Sequence, residues 1–234
     1  MLLPVIEIEH YTDKLFRIRT ERPRTFRFTA GEFVMIGLED TPKRAYSLTS
    51  GPYDEYLEFY SIKVQDGPLT SKLQHIQVGD TIQVSDKPTG TLTLANLELG
   101  GNLWMLATGT GIAPFISLLR DPETFDHFNQ IHVYWSVRTA DELQSYDSFL
   151  QEQGIKYTAI VTQDPTWTGH NNRITKFIRA GQIVPNLEPS EHKIMICGNL
   201  EFNNEVATMF GDWGFTEGNR KSAGSFVQEK AFVS

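Results

Sequence analysis

Hydrophobic and polar positions alternate in short runs over the first ninety residues. Val5-Ile6-Glu7-Ile8, Leu15-Phe16-Arg17-Ile18-Arg19 and Tyr56–Val64 have period two, the pattern of a strand with one buried face. Phe33–Ile36 is continuously apolar, Arg44–Ser47 ends a further strand, and Gly79-Asp80 opens another at Thr81–Val84. Only Leu69–Ile76 reads as a helix here. Short strands separated by turn signals predict a small barrel or sandwich. Beyond Gly100-Gly101 the texture changes. Leu103–Ala107 is a buried-strand run followed by a glycine turn and an apolar helix at Ala113–Leu119, and Ile131–Trp135, Tyr157–Val161 and Lys193–Cys197 each precede a helical pattern. Strands alternating with helices predict a parallel sheet with right-handed crossovers. The boundary falls near 96–102, which gives two domains, 1–98 and 99–234.

Composition narrows the class. Of 234 residues, 40 % are hydrophobic and 21 % charged, which excludes wholesale disorder. The balance of 21 basic against 29 acidic residues gives −8, contrary to a nucleic-acid protein. A single cysteine, Cys197, excludes a disulfide framework and a cysteine-ligated iron–sulfur cluster within the chain. The histidines lack metal-ligand spacing, so no metal is expected. No apolar run approaches the roughly 20 residues of a membrane span, and Met1–Ile6 is too short for a signal core. The expectation is a cytoplasmic protein that binds neither membrane nor nucleic acid, and a monomer.

Leu106-Ala107-Thr108-Gly109-Thr110-Gly111-Ile112-Ala113-Pro114 sits where a strand becomes a helix. There a ligand phosphate finds backbone N–H groups and the positive end of a helix dipole. The third fingerprint position is Pro114 rather than glycine, a partial match that a first helical turn tolerates. An NAD-binding fold carries an acid at the end of the next strand to hold the ribose; here Trp135-Ser136-Val137-Arg138 ends on an arginine, which suits a 2′-phosphate. In the first half, Arg44-Ala45-Tyr46-Ser47 sets a guanidinium, an aromatic face and a hydroxyl on one extended segment. Asp66-Gly67-Pro68-Leu69-Thr70-Ser71 starts a helix in which Thr70 or Ser71 can cap and meet a phosphate. Taken alone, these segments favour the plainer reading, with Tyr46 a barrel core residue and Arg44 a surface charge.

In their order along the chain, Arg44–Ser47, Gly67–Ser71, Ala107–Phe115 and Cys197-Gly198-Asn199 resemble the ferredoxin–NADP⁺ reductase family, and the ending Glu229–Ser234 resembles its bacterial branch. The resemblance covers essentially the whole chain. It implies an antiparallel β-barrel holding FAD, then a Rossmann-like α/β domain holding NADP(H) whose C-terminal tail returns to the flavin. It implies that Arg44 pairs with the FAD diphosphate alongside Ala45, that Tyr46 stacks on the isoalloxazine, and that Ser47 lies near flavin N5. Tyr60 lines the flavin site, Pro68, Leu69 and Thr70 contact the diphosphate, and Thr110 reaches the flavin from the second domain. Val137, Arg138, Thr162, Arg173 and Asn199 line the NADP site, with Cys197 beside the nicotinamide and Phe232 over the flavin face. The implied activity is electron exchange between NADPH and ferredoxin or flavodoxin. A flavin reductase or oxygenase-reductase component, and a non-catalytic binding module, are the alternatives.

Two features qualify this. The family often places arginine directly after the Thr162 position, where this chain has Gln163, so Arg173, Arg138 and Lys176 must supply the charge for a 2′-phosphate. Lys14, Arg17, Arg19, Arg22, Arg24 and Arg27 form a basic cluster that could dock an acidic electron-transfer protein or be a solvated hairpin. Trp167 is expected on a loop, bordering the nucleotide or packing.

Overall fold

The computed structural model describes residues 1–184 and 188–230. Eleven strands fall into two sheets among the described residues. The first sheet holds β1 (Leu2–His10), β2 (Leu15–Glu21), β3 (Phe33–Gly37), β4 (Arg44–Ser47), β5 (Tyr56–Ile62) and β6 (Thr81–Val84) in the order β4-β3-β6-β1-β2-β5, antiparallel throughout. Its two edges meet. Leu48, just past β4, bridges Phe59 of β5, and the Thr49 N–H donates to the Glu58 carbonyl at 2.9 Å. A sheet closed on itself leaves no free edge. Its core is the inward-facing set expected from the alternation, including Phe16, Ile18, Val34, Ile36, Leu57, Phe59, Ile82 and Val84.

The second sheet is wholly parallel, ordered β11-β10-β7-β8-β9, from β7 (Asn102–Thr108), β8 (Gln130–Val137), β9 (Lys156–Val161), β10 (His192–Gly198) and β11 (Phe226–Lys230). Leu103 to Ala107 are all buried, as a central strand covered on both faces must be. One face carries α5 (Ile174–Arg179) and α6 (Leu200–Asp212), whose Ile174, Ile178, Phe202, Val206 and Phe210 pack on Trp104, Leu106, Ile194 and Ile196.

The chain divides into two compact units. One contains Met1–Gly90 and Ala113–Asp121; the other contains Thr91–Ile112 and continues from Pro122. The expected division at 98/99 therefore sits eight residues past the first crossing, and helix α2 (Ala113–Leu119) goes with the barrel. Differences from expectation are local. The helix expected over Leu69–Ile76 is a single turn, α1 (Thr70–Leu73), continued only by turn bonds from His75 to Lys72 and from Ile76 to Leu73. β5 stops at Ile62, and β11 is a strand that the hydrophobic pattern did not announce.

Candidate functional site

In the barrel unit, β4 is the strand that carries Arg44, Ala45, Tyr46 and Ser47, all half-buried. Tyr46 stands beside Val34 in the register with β3 and meets Phe59 edge-on at 6.5 Å. Its hydroxyl shares a 2.9 Å hydrogen bond with Ser61, and burial pushes its pKa up, so the phenol stays neutral. The ring is thus fixed from its far end while part of it remains accessible. Tyr60 is buried, edge-on to Tyr11 at 6.3 Å. The Gly67–Thr70 segment departs from expectation. Neither Thr70 nor Ser71 caps α1; Leu69 occupies the cap position, without a side-chain cap. The Thr70 hydroxyl instead lies 3.3 Å from both the amide and the carbonyl of Val64, tying the helix start to the end of β5. Pro68 is exposed, and the Leu69 side chain is buried in the barrel core.

In the α/β unit, β7 runs into a 3-10 turn at Gly109–Ile112. Gly109 takes φ +53°, with open space where a side chain would project. A Cβ on Gly111 would collide with the Cys197 carbonyl, so this turn sits flush on the end of β10. Gly111 thus seats the turn on the sheet while Gly109 leaves its outer side open at the C-terminal edge of a parallel sheet, a cradle that fits a phosphate. Trp135 supports it from beneath, its indole N–H donating to the Gly109 carbonyl at 2.8 Å. Thr110, at its tip, is half-buried.

Val137, Arg138, Thr162 and Asn199 sit at or just past the C-terminal ends of β8, β9 and β10. The Thr162 amide and hydroxyl both donate to the Val137 carbonyl, at 3.0 and 3.1 Å, and the Gln163 amide donates to the Arg138 carbonyl at 2.8 Å. Val137 is buried, while Arg138 and Gln163 are exposed side by side. Asp164 fastens the following loop: one carboxylate oxygen accepts from the Thr166 amide and hydroxyl, and the other from the Ala140 amide. Trp167 packs. Its ring lies against Gly169, and its N–H donates to the His170 carbonyl at 3.1 Å. Asn199 is the N-cap of α6, its side chain accepting from the Phe202 amide at 2.9 Å. Arg173 precedes α5, is 69 % exposed, and lies 3.4 Å from Glu201 in the first turn of α6.

Cys197 is buried, and burial, together with the nearby Glu229 carboxylate, pushes its thiol well up. It is held neutral as a packing surface. Glu229, missed in the sequence reading, pairs with Cys197 in the β10–β11 register and is buried; its carboxylate accepts from the Thr91 amide at 3.4 Å. Asn203 donates to the Glu229 carbonyl at 2.8 Å and anchors that end of β11. The one available signal was the apolar pair Phe226-Val227 two residues before it. Phe232 lies outside the described residues.

The basic cluster is largely consumed internally. Arg17 and Arg19 pair with Glu7 and the buried Glu58, and Arg17 also with Glu9. Arg22 donates to the carbonyls of Pro52, Asp54 and Phe26, and stacks over Phe28 at 4.9 Å. As a six-residue docking face it does not exist. Strand alternation turned these arginines onto a wall already supplied with carboxylates.

A parallel sheet whose C-terminal edge carries an open glycine turn suits a nucleotide phosphate, and residues 105–208 match the family model described as an oxidoreductase NAD-binding domain. Over 98 % of its length the chain is 41 % identical to ferredoxin–NADP reductase A of Sorangium cellulosum, covering 89 % of that protein. It is 43 % identical, again over 98 % of its length, to the flavodoxin/ferredoxin–NADP reductase of Rhodobacter capsulatus, covering 92 %. The crystal structure of a ferredoxin NADP⁺ reductase from Neisseria gonorrhoeae with bound FAD and NADP superimposes with a TM-score of 0.92 at 30 % identity, covering 99 % of this chain and 98 % of that one. The chain belongs to the ferredoxin/flavodoxin–NADP reductase family.

Proposed function

We propose that this protein is a flavoenzyme that moves electrons between NADP(H) and ferredoxin or flavodoxin through FAD. The observation that carries the reading is the Gly109–Gly111 turn, packed on Cys197 and left bare on its outer side, in a chain of this family. Met1–Gly90 with Ala113–Asp121 form the FAD-binding part, and Thr91–Ile112 with the chain from Pro122 the NADP(H)-binding part. FAD, when bound, supplies acceptance of a hydride and release of single electrons.

The chain's own residues bind and orient. Arg44 offers a charge-assisted donor to the diphosphate, with Ala45 and the Pro68–Thr70 helix start beside it. Tyr46, held through Ser61, offers its face to the flavin ring, with Ser47 and Tyr60 at the same site. Val137, Arg138, Thr162, Arg173 and Asn199 line the coenzyme site with Cys197. We propose that the protein acts as a cytoplasmic monomer; among the described residues no helix is long and apolar enough to cross a membrane.

The test is direct. The purified protein should be yellow, release FAD on extraction, and reduce ferredoxin or flavodoxin with NADPH faster than with NADH. Release of FMN alone, or no flavin, overturns the reading.

A further inference from the structure

The Arg173–Glu201 pair works against the ligand assigned to the coenzyme site. Arg173 sits at the N-cap of α5 with its guanidinium 3.4 Å from the Glu201 carboxylate, which projects from the first turn of α6. The two helices lie on the same face of the parallel sheet and have a second link, Arg179 to Glu205 at 2.9 Å. The cap of α6 is already supplied by Asn199. With the side chains 69 % and 78 % exposed, the Arg173–Glu201 pair adds little to stability. Neither helix needs Glu201 for its place or its start.

We infer that Glu201 is a specificity-determining residue, holding the Arg173 guanidinium that the 2′-phosphate of NADP(H) must take and so narrowing the preference for NADPH over NADH. This rests on the assignment of Arg173 given above. A 2′-phosphate brings a dianion to a guanidinium that already has a carboxylate. It must displace that carboxylate or share the arginine with it, and in either case it comes to rest within a few ångströms of a like charge. NADH brings a 2′-hydroxyl, which pays neither cost and can donate to a carboxylate. Gln163 leaves the site short of positive charge, so the competition for Arg173 counts.

The experiment is a titration of the FAD-loaded enzyme with NADPH, NADH and adenosine 2′,5′-bisphosphate, for wild type, Glu201→Gln, Arg173→Ala and the double variant. Glu201→Gln should lower the Kd for NADPH and for the bisphosphate about two- to fivefold, the range an exposed ion pair commands, and leave or raise that for NADH. In the Arg173→Ala background the same substitution should gain less than half of that factor. Equal shifts for NADPH and NADH, or no shift in Glu201→Gln while Arg173→Ala weakens NADPH selectively, overturn the inference and spare the Arg173 assignment. If Arg173→Ala itself shows no selectivity between the coenzymes, the assignment fails, and the inference with it.

Discussion

Glu58 and Glu201 are both carboxylates paired with arginine, one fully buried on the barrel wall and the other 78 % exposed at the start of α6. Glu58 receives Arg19 at 2.7 Å, Arg120 at 3.0 Å, Arg17 at 3.3 Å and the Thr49 hydroxyl at 2.8 Å. Burial alone would raise its pKa; Arg120, Arg19 and Arg17 reverse that and hold it below the ordinary 4.5. Glu201 has one arginine and open solvent. The same chemistry therefore serves two ends. Out of water, breaking the pair leaves charges stranded, so the pair is architecture; in water, the pair can be exchanged for a ligand at little cost.

The largest expected effect tests the buried side. Glu58→Ala should lower unfolding free energy by about 3–5 kcal/mol in urea titrations, because three guanidinium groups lose their shared anion. A loss under about 1 kcal/mol would mean that the network is solvated and the contrast false. Protonating the same carboxylate should act in the same direction. A depressed folded-state pKa contributes stability that is present above 4.5 and lost as pH falls through the folded value. His132, stacked on Trp104 at 3.8 Å and lowered by burial to about 4, adds a separate decline from its ordinary 6.5 down to 4, because only the unfolded chain gains that proton easily. Melting temperatures across pH 3–7 should show both limbs, and Glu58→Gln should remove only the lower one.

On the exposed side, Arg173→Ala should raise KM for NADPH about tenfold, the loss of roughly 1.4 kcal/mol of charge-assisted bonding, with NADH nearly unaffected. The smallest contrast lies within the basic segment itself. Arg22→Gln should cost about 1–2 kcal/mol, since its guanidinium satisfies three carbonyls. Exposed Arg24→Gln should stay within about 0.5 kcal/mol. If the two behave alike, Arg22 is not the structural member.

Much of the fold was legible because period and composition are local properties. β7, β8, β9 and β10 announce themselves as apolar runs before helical patterns, and the glycine turn by its place between strand and helix. What was illegible depends on pairing across long stretches of chain. Arg17 and Arg19, two apart on β2, read as solvent-facing positions; nothing near them says that Glu58 of β5 sits between them. Thr70 carries the residue type of a cap, but Leu69 takes the cap position and the Thr70 hydroxyl bonds the backbone of Val64 instead. Glu229 is buried only because β11 adds to β10 beside Cys197.

Helix α2 has a consequence for how such a protein can be taken apart. By chain order it follows the glycine turn, yet its Ser117 hydroxyl donates to the Ser50 carbonyl at 2.7 Å and its neighbour Arg120 donates to the Thr49 carbonyl and to Glu58. Gly51 is packed so closely on Arg120 that a Cβ would lie 2.8 Å from the arginine's own Cβ. A cut at residue 98 would therefore strip from the barrel the helix packed on Thr49–Gly51 and deprive Glu58 of an arginine. Recombining halves between relatives would have to carry α2 and the Thr49–Glu58 segment from the same parent.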